Sequence, residues 1–286
     1  MENKYLFVLC PPASGSTLLQ KILRTSPHAS AFNVEGQGLV KSILFTKDRW
    51  NPGKIIPWDI VKEKWAEKWD LAKPILLEKS PPHLIRAKQL ERHFPGSHFI
   101  IMMRNPYAFC EGVKRRWGKN YTYRNIAKFW AICAGYQIDN IENLNNTRWF
   151  RYEDLTTSPG TVCKQIIDFI PQLEKLSPEK KFDVFEKSLP ITNLNQQQIS
   201  NLSSDDIFEI NRVLKRYPKF LAFFNYQYID VPGKTIKFKI AKSIYWWLRS
   251  LNRLPEPLRW NNWKNLNNTG DSQSRKNETN NKTHFH

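Results

Sequence analysis

The sequence predicts an α/β fold, a parallel sheet flanked by helices on both faces. Three observations carry that prediction. Short apolar runs at residues 5–10, 75–77, 98–103 and 149–152 read as buried strands. Segments with apolar residues at helical spacing lie between them, and strands alternating with helices favour a parallel sheet. The chain has 286 residues, 41% hydrophobic, with 11 Trp and 17 Phe, enough for one large core.

The elements follow in chain order. The first run stops at Pro11 and Pro12, and a loop follows. Leu18, Leu19, Ile22 and Leu23 then fall on one helical face, so a helix spans about residues 16–25, ended by Ser26 and Pro27. Residues 58–71 read as an amphipathic helix. The second strand closes at Glu78-Lys79-Ser80-Pro81-Pro82. A helix over 84–94 meets a stop signal at Pro95-Gly96. After the strand at 98–103, Asn105 reads as an N-cap with Pro106 at the first helical position. A long helix spans 123–144. A strand at 149–152 and a helix at 159–170 come next, and Ser203 caps a helix reaching about residue 217.

Past residue 229 the pattern decays. Residues 234–266 carry eight Lys or Arg against one acid, with Trp246, Trp247, Trp260 and Trp263. Residues 267–286 are polar and Asn-rich, the composition of a disordered tail. The expected division is a catalytic domain over 1–232, a basic aromatic helical extension over 233–266, and a polar tail over 267–286.

The net charge is +18 and the pI near 9.7. Such a field attracts anions without choosing among nucleotides, nucleic acid and acidic membranes. Cys10, Cys110, Cys133 and Cys163 match no zinc or CxxC spacing, so no metal is expected, and a reducing, cytoplasmic setting is the simplest reading. The six apolar residues before Pro11 are too few for a secretion signal core. No run approaches the roughly 18 apolar residues of a membrane span.

The loop after the first strand is the first candidate site. A loop running from a buried strand into a helix N-terminus aims backbone N–H groups at one point, and the helix dipole adds positive charge there. Ala13, Ser14, Gly15 and Ser16 are small enough to let an anion approach the backbone. Ser14, Ser16 and Thr17 add hydroxyl donors. The loop is not a Walker A motif. Ser16 follows Gly15 where that motif needs Lys, and Cys10 holds the place of its first glycine.

Pro12-Ala13-Ser14-Gly15-Ser16-Thr17, continuing into Leu18, resembles the loop with which sulfotransferases wrap the phosphosulfate of 3′-phosphoadenosine 5′-phosphosulfate. The run 99–106, ending in Arg104-Asn105-Pro106, is similar to the family's second nucleotide motif, whose Arg contacts the 3′-phosphate. Arg151-Tyr152-Glu153-Asp154-Leu155 resembles a segment whose Tyr lies near the adenosine. Leu77-Glu78-Lys79-Ser80-Pro81, and the stretch from Ile191 to Tyr226, resemble the tyrosylprotein and Golgi-type branch. The ordered set spans about residues 5–230. It implies a P-loop-like nucleotide-binding architecture, with the phosphosulfate nucleotide as co-substrate and no metal.

Two positions depart from the pattern. Ala13 stands where most members carry Lys or Arg, and Gly112 stands where members usually carry a Ser on the 3′-phosphate. Sulfuryl transfer needs in-line positioning and charge stabilisation, and Lys79, at a strand's carboxyl end, is the cation candidate. Glu35 is the expected base, at nearly the branch's position. His83 is its rival, because the cytosolic branch places a His after a Lys-Thr pair. The acceptor is a hydroxyl or amine, with residues 36–75 and 116–147 lining its site. A nucleotide kinase or NTPase, and a nucleotide- or polyanion-binding protein on the same scaffold, remain the alternatives. No specific nucleic acid partner is expected. An anionic membrane surface under residues 236–254 and a second copy of the chain stay open as partners.

Overall fold

The computed structural model describes residues 3–118, 120–179, 182–184, 187–189 and 191–231. Its centre is a five-stranded parallel sheet. The strands are β1 (Lys4–Leu9), β2 (Ala29–Ala31), β3 (Ile75–Glu78), β4 (His98–Met103) and β5 (Thr147–Arg151), in the order β2-β3-β1-β4-β5. The helices are α1 (Ser16–Leu23), α2 (Lys41–Leu44), α3 (Trp58–Ala66), α4 (Ala87–His93), α5 (Pro106–Trp117), α6 (Tyr123–Asn143), α7 (Tyr152–Thr157), α8 (Pro159–Phe169), α9 (Asn195–Ser200), α10 (Ser204–Leu214) and α11 (Pro218–Phe223). A hairpin, β6 (Phe182–Val184) and β7 (Lys187–Leu189), stands apart from the sheet.

The sheet is covered on both faces because its strands alternate two apolar sets rather than apolar with polar. Leu6, Val8 and Cys10 of the β1 segment join Ile75, Leu77, Ile100 and Met102 against Leu19, Ile22 and Leu23 of α1 and Val162 and Ile166 of α8. Phe7 and Leu9 point the other way, with Leu76, Phe99, Ile101 and Met103, into a cluster with Trp58, Trp65, Trp69, Phe94 and Trp130. Aromatic side chains fill this second layer by edge and stacked contacts, such as Phe32 on Trp69 at 4.8 Å between ring centroids. The long helix α6 also serves the sheet's polar needs. Its buried Gln137 donates to the Leu9 carbonyl at 2.6 Å, and Asn140 donates to Leu84 O at 2.8 Å.

Several expectations need correcting. Tyr152 does not end the last strand of the sheet. It begins α7, because the Asp154 carboxylate accepts the Arg151 N–H at 2.9 Å and turns the chain. The helix expected over 58–71 stops at Ala66. Beyond it the Trp69 indole donates to Leu77 O at 3.2 Å, and the Asp70 N–H donates to Ser30 Oγ at 2.7 Å, tying the chain to the sheet edge. The helix expected over 84–94 is a 3₁₀ turn, Pro81–Ile85, followed by α4. Strand β2 and helices α9 and α11 were not expected.

The extension at 233–266 and the tail at 267–286 lie outside the described residues. So do the expectations placed on them, an amphipathic helix, a membrane contact and disorder. Among the described residues no helix is long and apolar enough to cross a membrane, and no three His, Cys, Asp or Glu side chains are grouped as metal ligands.

Candidate functional site

Parallel strands bring their carboxyl ends to one edge, and the registers decide which residues meet there. Phe7 pairs with Glu78, Leu9 with Ile101, and Met103 with Arg151. The residues just past β3, β1, β4 and β5 are therefore neighbours: Lys79, the loop 10–15, Arg104 and Tyr152. An open α/β sheet binds ligands at this edge.

The loop leaves β1 at Cys10 and enters α1 at Ser16. Two left-handed residues bend it, Ala13 at φ 59° and Gly15 at φ 86°. Gly15 is held as glycine twice over. A Cβ there would lie 2.6 and 2.9 Å from Cδ2 and Cε2 of Tyr152. The Tyr152 ring thus lies directly against the loop backbone. Its other neighbour is Arg104, whose guanidinium carbon stands 4.1 Å from the ring centroid. The Tyr152 hydroxyl donates to Thr192 O at 3.2 Å. The ring is fixed against both the loop and the arginine.

Arg104 is 4% exposed. Its Nε donates to Asn195 Oδ1 at 2.8 Å and its Nη1 to Ala13 O at 2.9 Å. Its Nη2 has no partner among the described residues. Burial holds its pKa below the ordinary arginine value, with the charges of Tyr152 and Glu153 acting against that shift. Asn195 is in turn held by Glu153, which also accepts the Asn105 N–H at 2.9 Å and the Tyr226 hydroxyl at 2.9 Å. Burial, with Glu153 beside it, keeps the Tyr226 phenol well above its usual pKa. Asn105 caps α5 as expected, accepting from Tyr107 N at 2.9 Å.

Ser14 is fully buried and its hydroxyl is also unpartnered. Ser16 is buried at the start of α1, Thr17 is exposed, and Leu18 packs partly onto the α1 side of the core. A buried hydroxyl and a buried guanidinium N–H left open beside a helix N-terminus fit a nucleotide phosphate better than an ordinary turn.

On the β3 side, Lys79 is 4% exposed and its Nζ donates to Glu35 Oε1 at 2.7 Å. The Gln37 side-chain amide donates to the other Glu35 oxygen. Lys79 also lies close to the loop's first residue. Burial pushes the Cys10 thiol up to about 12, while the Lys79 charge works in the opposite direction. The pair is therefore at the sheet edge beside the loop, with Lys79 just past the carboxyl end of β3.

Glu35 owes its place to a buried neighbour. Glu78 is 1% exposed, and its Oε1 accepts the Gly36 N–H at 2.9 Å and the Ser80 hydroxyl. Ser80 Oγ accepts the Gln37 N–H at 3.0 Å. These bonds pin the turn at residues 35–38 onto the end of β3. His83 is 2% exposed and lies beneath this turn. Its ring packs on Trp58 and Trp65 at 5.8 and 5.7 Å, and its Nε2 is 3.2 Å from Glu78 Oε2, without hydrogen-bond geometry. It touches the carboxylate that holds the turn, not Glu35 itself.

Gly112 lies on α5, facing the loop. A Cβ there would meet Ala13 Cβ at 3.5 Å and the Gln198 amide at 3.5 and 3.9 Å. Asn195, Gln198, Glu78 and Gln37 were missed by sequence reasoning. Asn195, Gln198 and Gln37 lie in polar stretches without periodicity, and Glu78 closes the apolar run of β3; burial marks all four.

Residues 58–171 match the model of the sulfotransferase family. Over that span the chain is similar to the family, which bears out the family resemblance for the motifs that fall within it. Lys79, His83, Arg104, Gly112 and Tyr152 fall inside the match, whereas the loop and Glu35 fall outside it. No curated protein matches the chain. Among solved structures, the sulfotransferase domain from the curacin biosynthetic pathway is 20% identical, with a TM-score of 0.47, covering 79% of this chain and 99% of that one. Sulfotransferase STF9 from Mycobacterium avium is 12% identical, with a TM-score of 0.49 and coverages of 79% and 78%. Mouse sulfotransferase SULT7A1, complexed with PAP, is 12% identical, with a TM-score of 0.45 and coverages of 79% and 90%. The architecture stands on the chain's own strand pairing.

Proposed function

We propose that this protein transfers the sulfuryl group of 3′-phosphoadenosine 5′-phosphosulfate to a hydroxyl or amine acceptor, with Glu35 as base and Lys79 as the charge-stabilising cation. The observation that carries this reading is the Lys79–Glu35 ion pair, 2.7 Å long, set beside the loop at the carboxyl edge of the sheet. It puts a carboxylate and a cation next to one anion site, which is what moving a sulfuryl group to a protic acceptor requires.

The residues divide the work. Backbone N–H groups of residues 14–17 and the Ser14 hydroxyl receive the phosphosulfate, and the open Nη2 of Arg104 receives the 3′-phosphate. Glu35 is partly exposed, with a side-chain accessibility of 35%, so an acceptor can reach it. As the acceptor oxygen or nitrogen forms its bond to sulfur, its proton passes to the Glu35 carboxylate. The bond between sulfur and the bridging oxygen breaks, and the negative charge left on the phosphate is met by Lys79. Ala13 cannot supply that charge. Arg104 is committed to the Ala13 carbonyl, to Asn195 and to the 3′-phosphate, which leaves Lys79 for the leaving group. The singly charged sulfuryl group needs no metal clamp. His83, buried behind Glu78, supports the turn that carries Glu35 rather than facing an acceptor.

The acceptor enters past residues 36–75 and 116–147. Arg49, in the first of these, has its pKa lowered by burial, with the charges of Tyr121 and Glu35 opposing the shift.

The test is transfer of isotopically labelled sulfate to a metabolite extract, without added metal. Lys79→Ala and Glu35→Ala are each expected to lower turnover about a hundredfold or more. Near wild-type transfer by either variant removes that residue from the mechanism. Nucleotide binding without any transfer would favour the binding-protein alternative, which the Ala13 substitution motivates. Transfer that needs ATP and magnesium would favour a kinase.

A further inference from the structure

The Lys79–Glu35 ion pair is built from unequal halves. The lysine side chain is 4% exposed and the glutamate 35%. A buried ammonium needs an anion beside it, whereas a carboxylate partly in water is solvated when its partner leaves. Among the described residues, the hydrogen-bond acceptor of Lys79 is Glu35. An exchange of partners at this site is therefore one in which the lysine passes from one anion to another and the carboxylate is released.

The two oxygens of Glu35 are also held differently. Oε1 accepts from the Lys79 ammonium at 2.7 Å, and Oε2 accepts from the Gln37 side-chain amide. The Gln37 hold is fixed by the fold. Gln37 is buried, and its backbone N–H donates to Ser80 Oγ at 3.0 Å. The adjoining Gly36 is gripped on both sides, its N–H by Glu78 Oε1 at 2.9 Å and its carbonyl by the Trp65 indole at 3.0 Å. That grip needs a glycine, since a Cβ there would lie 2.6 Å from Glu78 Oε1. The Lys79 hold is of another kind. Its ammonium stands at the end of a flexible four-carbon stem, and its charge acts on Cys10, where the loop leaves β1. An anion seated on that loop competes with Glu35 for the same ammonium.

We propose that the Lys79–Glu35 ion pair is a lock on the nucleotide-free protein, opened by the 5′-phosphate end of the donor. Nucleotide binding draws Lys79 off Oε1, while Gln37 keeps the carboxylate in place through Oε2. Oε1 is then the atom that takes the acceptor's proton as the acceptor oxygen or nitrogen bonds to sulfur. Lys79 keeps its own protons throughout and rests against the phosphate oxygen that sulfur leaves. This rests on the sulfate-donor reading given above and adds an order to it. The base is free only in a chain that already carries the donor, so the acceptor follows the nucleotide.

The experiment is titration calorimetry of the full chain with adenosine 3′,5′-bisphosphate, across a cycle of Glu35→Gln and Lys79→Met. Glu35→Gln removes the competing charge and should tighten binding about tenfold, the scale of one hydrogen bond to a charged group. In the Lys79→Met background the same substitution should change binding by less than about twofold. Gln37→Met loosens the carboxylate without freeing the lysine and should not tighten binding. Thermal melting checks that each variant is folded, and Lys79→Gln takes the place of Lys79→Met if that variant melts early. A gain from Glu35→Gln of equal size in both backgrounds marks plain repulsion between carboxylate and phosphate and overturns the lock. No gain in the wild-type background overturns it too, as does an equal gain from Gln37→Met. In each of these cases, bisphosphate binding by the wild type leaves the donor reading standing. A wild type that does not bind the bisphosphate overturns that reading and the lock with it.

Discussion

Replacing Gly15 by alanine should disable the nucleotide loop through two separable costs. The first is conformational. At φ 86° an L-residue with a Cβ is strained, by about 1–2 kcal/mol for a left-handed backbone. The second is steric. The new Cβ would stand 2.6 and 2.9 Å from the Tyr152 ring, and that ring cannot swing freely. It is 4% exposed, lies under the Arg104 guanidinium at 4.1 Å, and is anchored through its hydroxyl to Thr192. Forcing a methyl group into such a site costs about 1–3 kcal/mol. Together they predict a loss of roughly 2–5 kcal/mol, or a melting shift of roughly 5–15 °C for a domain of this size. Calorimetry or urea titration measures it. Tyr152→Ala in the same chain removes the steric part only. The double variant should therefore be less destabilised than the sum of the singles by about 1–3 kcal/mol. A Gly15→Ala protein that melts within about 2 °C of wild type, or strictly additive effects, refutes the reasoning.

Two further outcomes follow from groups already described. Ser14→Ala removes a fully buried hydroxyl without a partner. It should leave the melting temperature of the free protein unchanged or slightly raised while weakening bisphosphate nucleotide binding about tenfold, as read by calorimetry and titration; a melting drop of several degrees would show that the hydroxyl is structural. For Asp154, burial pushes the carboxyl pKa up, but hydrogen bonds from the Arg151 side chain and backbone outweigh it and hold the group below its usual value. A depressed carboxylate stabilises the fold above its unfolded pKa of about 3.9, and the contribution disappears as pH falls through the folded value. The side chains are 28% and 37% exposed, so solvent screening limits the effect to about 1 kcal/mol or less. Urea titrations of wild type and Arg151→Gln should thus differ near pH 6 and converge below about pH 3, and a gap that persists in acid would contradict this.

The sheet was largely legible because its strands are coded by apolar runs that need no tertiary knowledge. Residues 98–103 read as a strand with the bounds that β4 has, and Asn105 and Ser203 announced their helices by side-chain chemistry. Strand β2 was invisible. Ala-Ser-Ala is too short and too small to show a period, and it is a strand only because β3 lies beside it. Helix α3 ends early for tertiary reasons, since Trp69 is pulled onto Phe32 and Leu77 O. In the site, the residues found were those in an ordered motif, Gly15, Lys79, Arg104 and Tyr152. Asn195 and Gln198 sit in an Asn- and Gln-rich stretch that reads as loop, and nothing local says that it folds back onto residue 104. Their place in the site is a matter of burial and side-chain contacts, which exist only once the chain has closed.

The carboxylate of Glu153 joins Asn105, Asn195 and Tyr226, partners separated from it by as many as 73 residues. Arg104 and Asn195 are 91 residues apart. During synthesis, therefore, the loop, the Tyr152 ring and the five strands of the sheet emerge before Asn195, which accepts the Arg104 Nε–H, and before Tyr226, which joins Glu153. A chain cut short of residue 195 would keep the Arg104 contacts to Ala13 O and to the Tyr152 ring but lose the partner of its Nε. Truncation within the last third of the described chain should therefore loosen the Arg104 side chain before it disturbs the sheet.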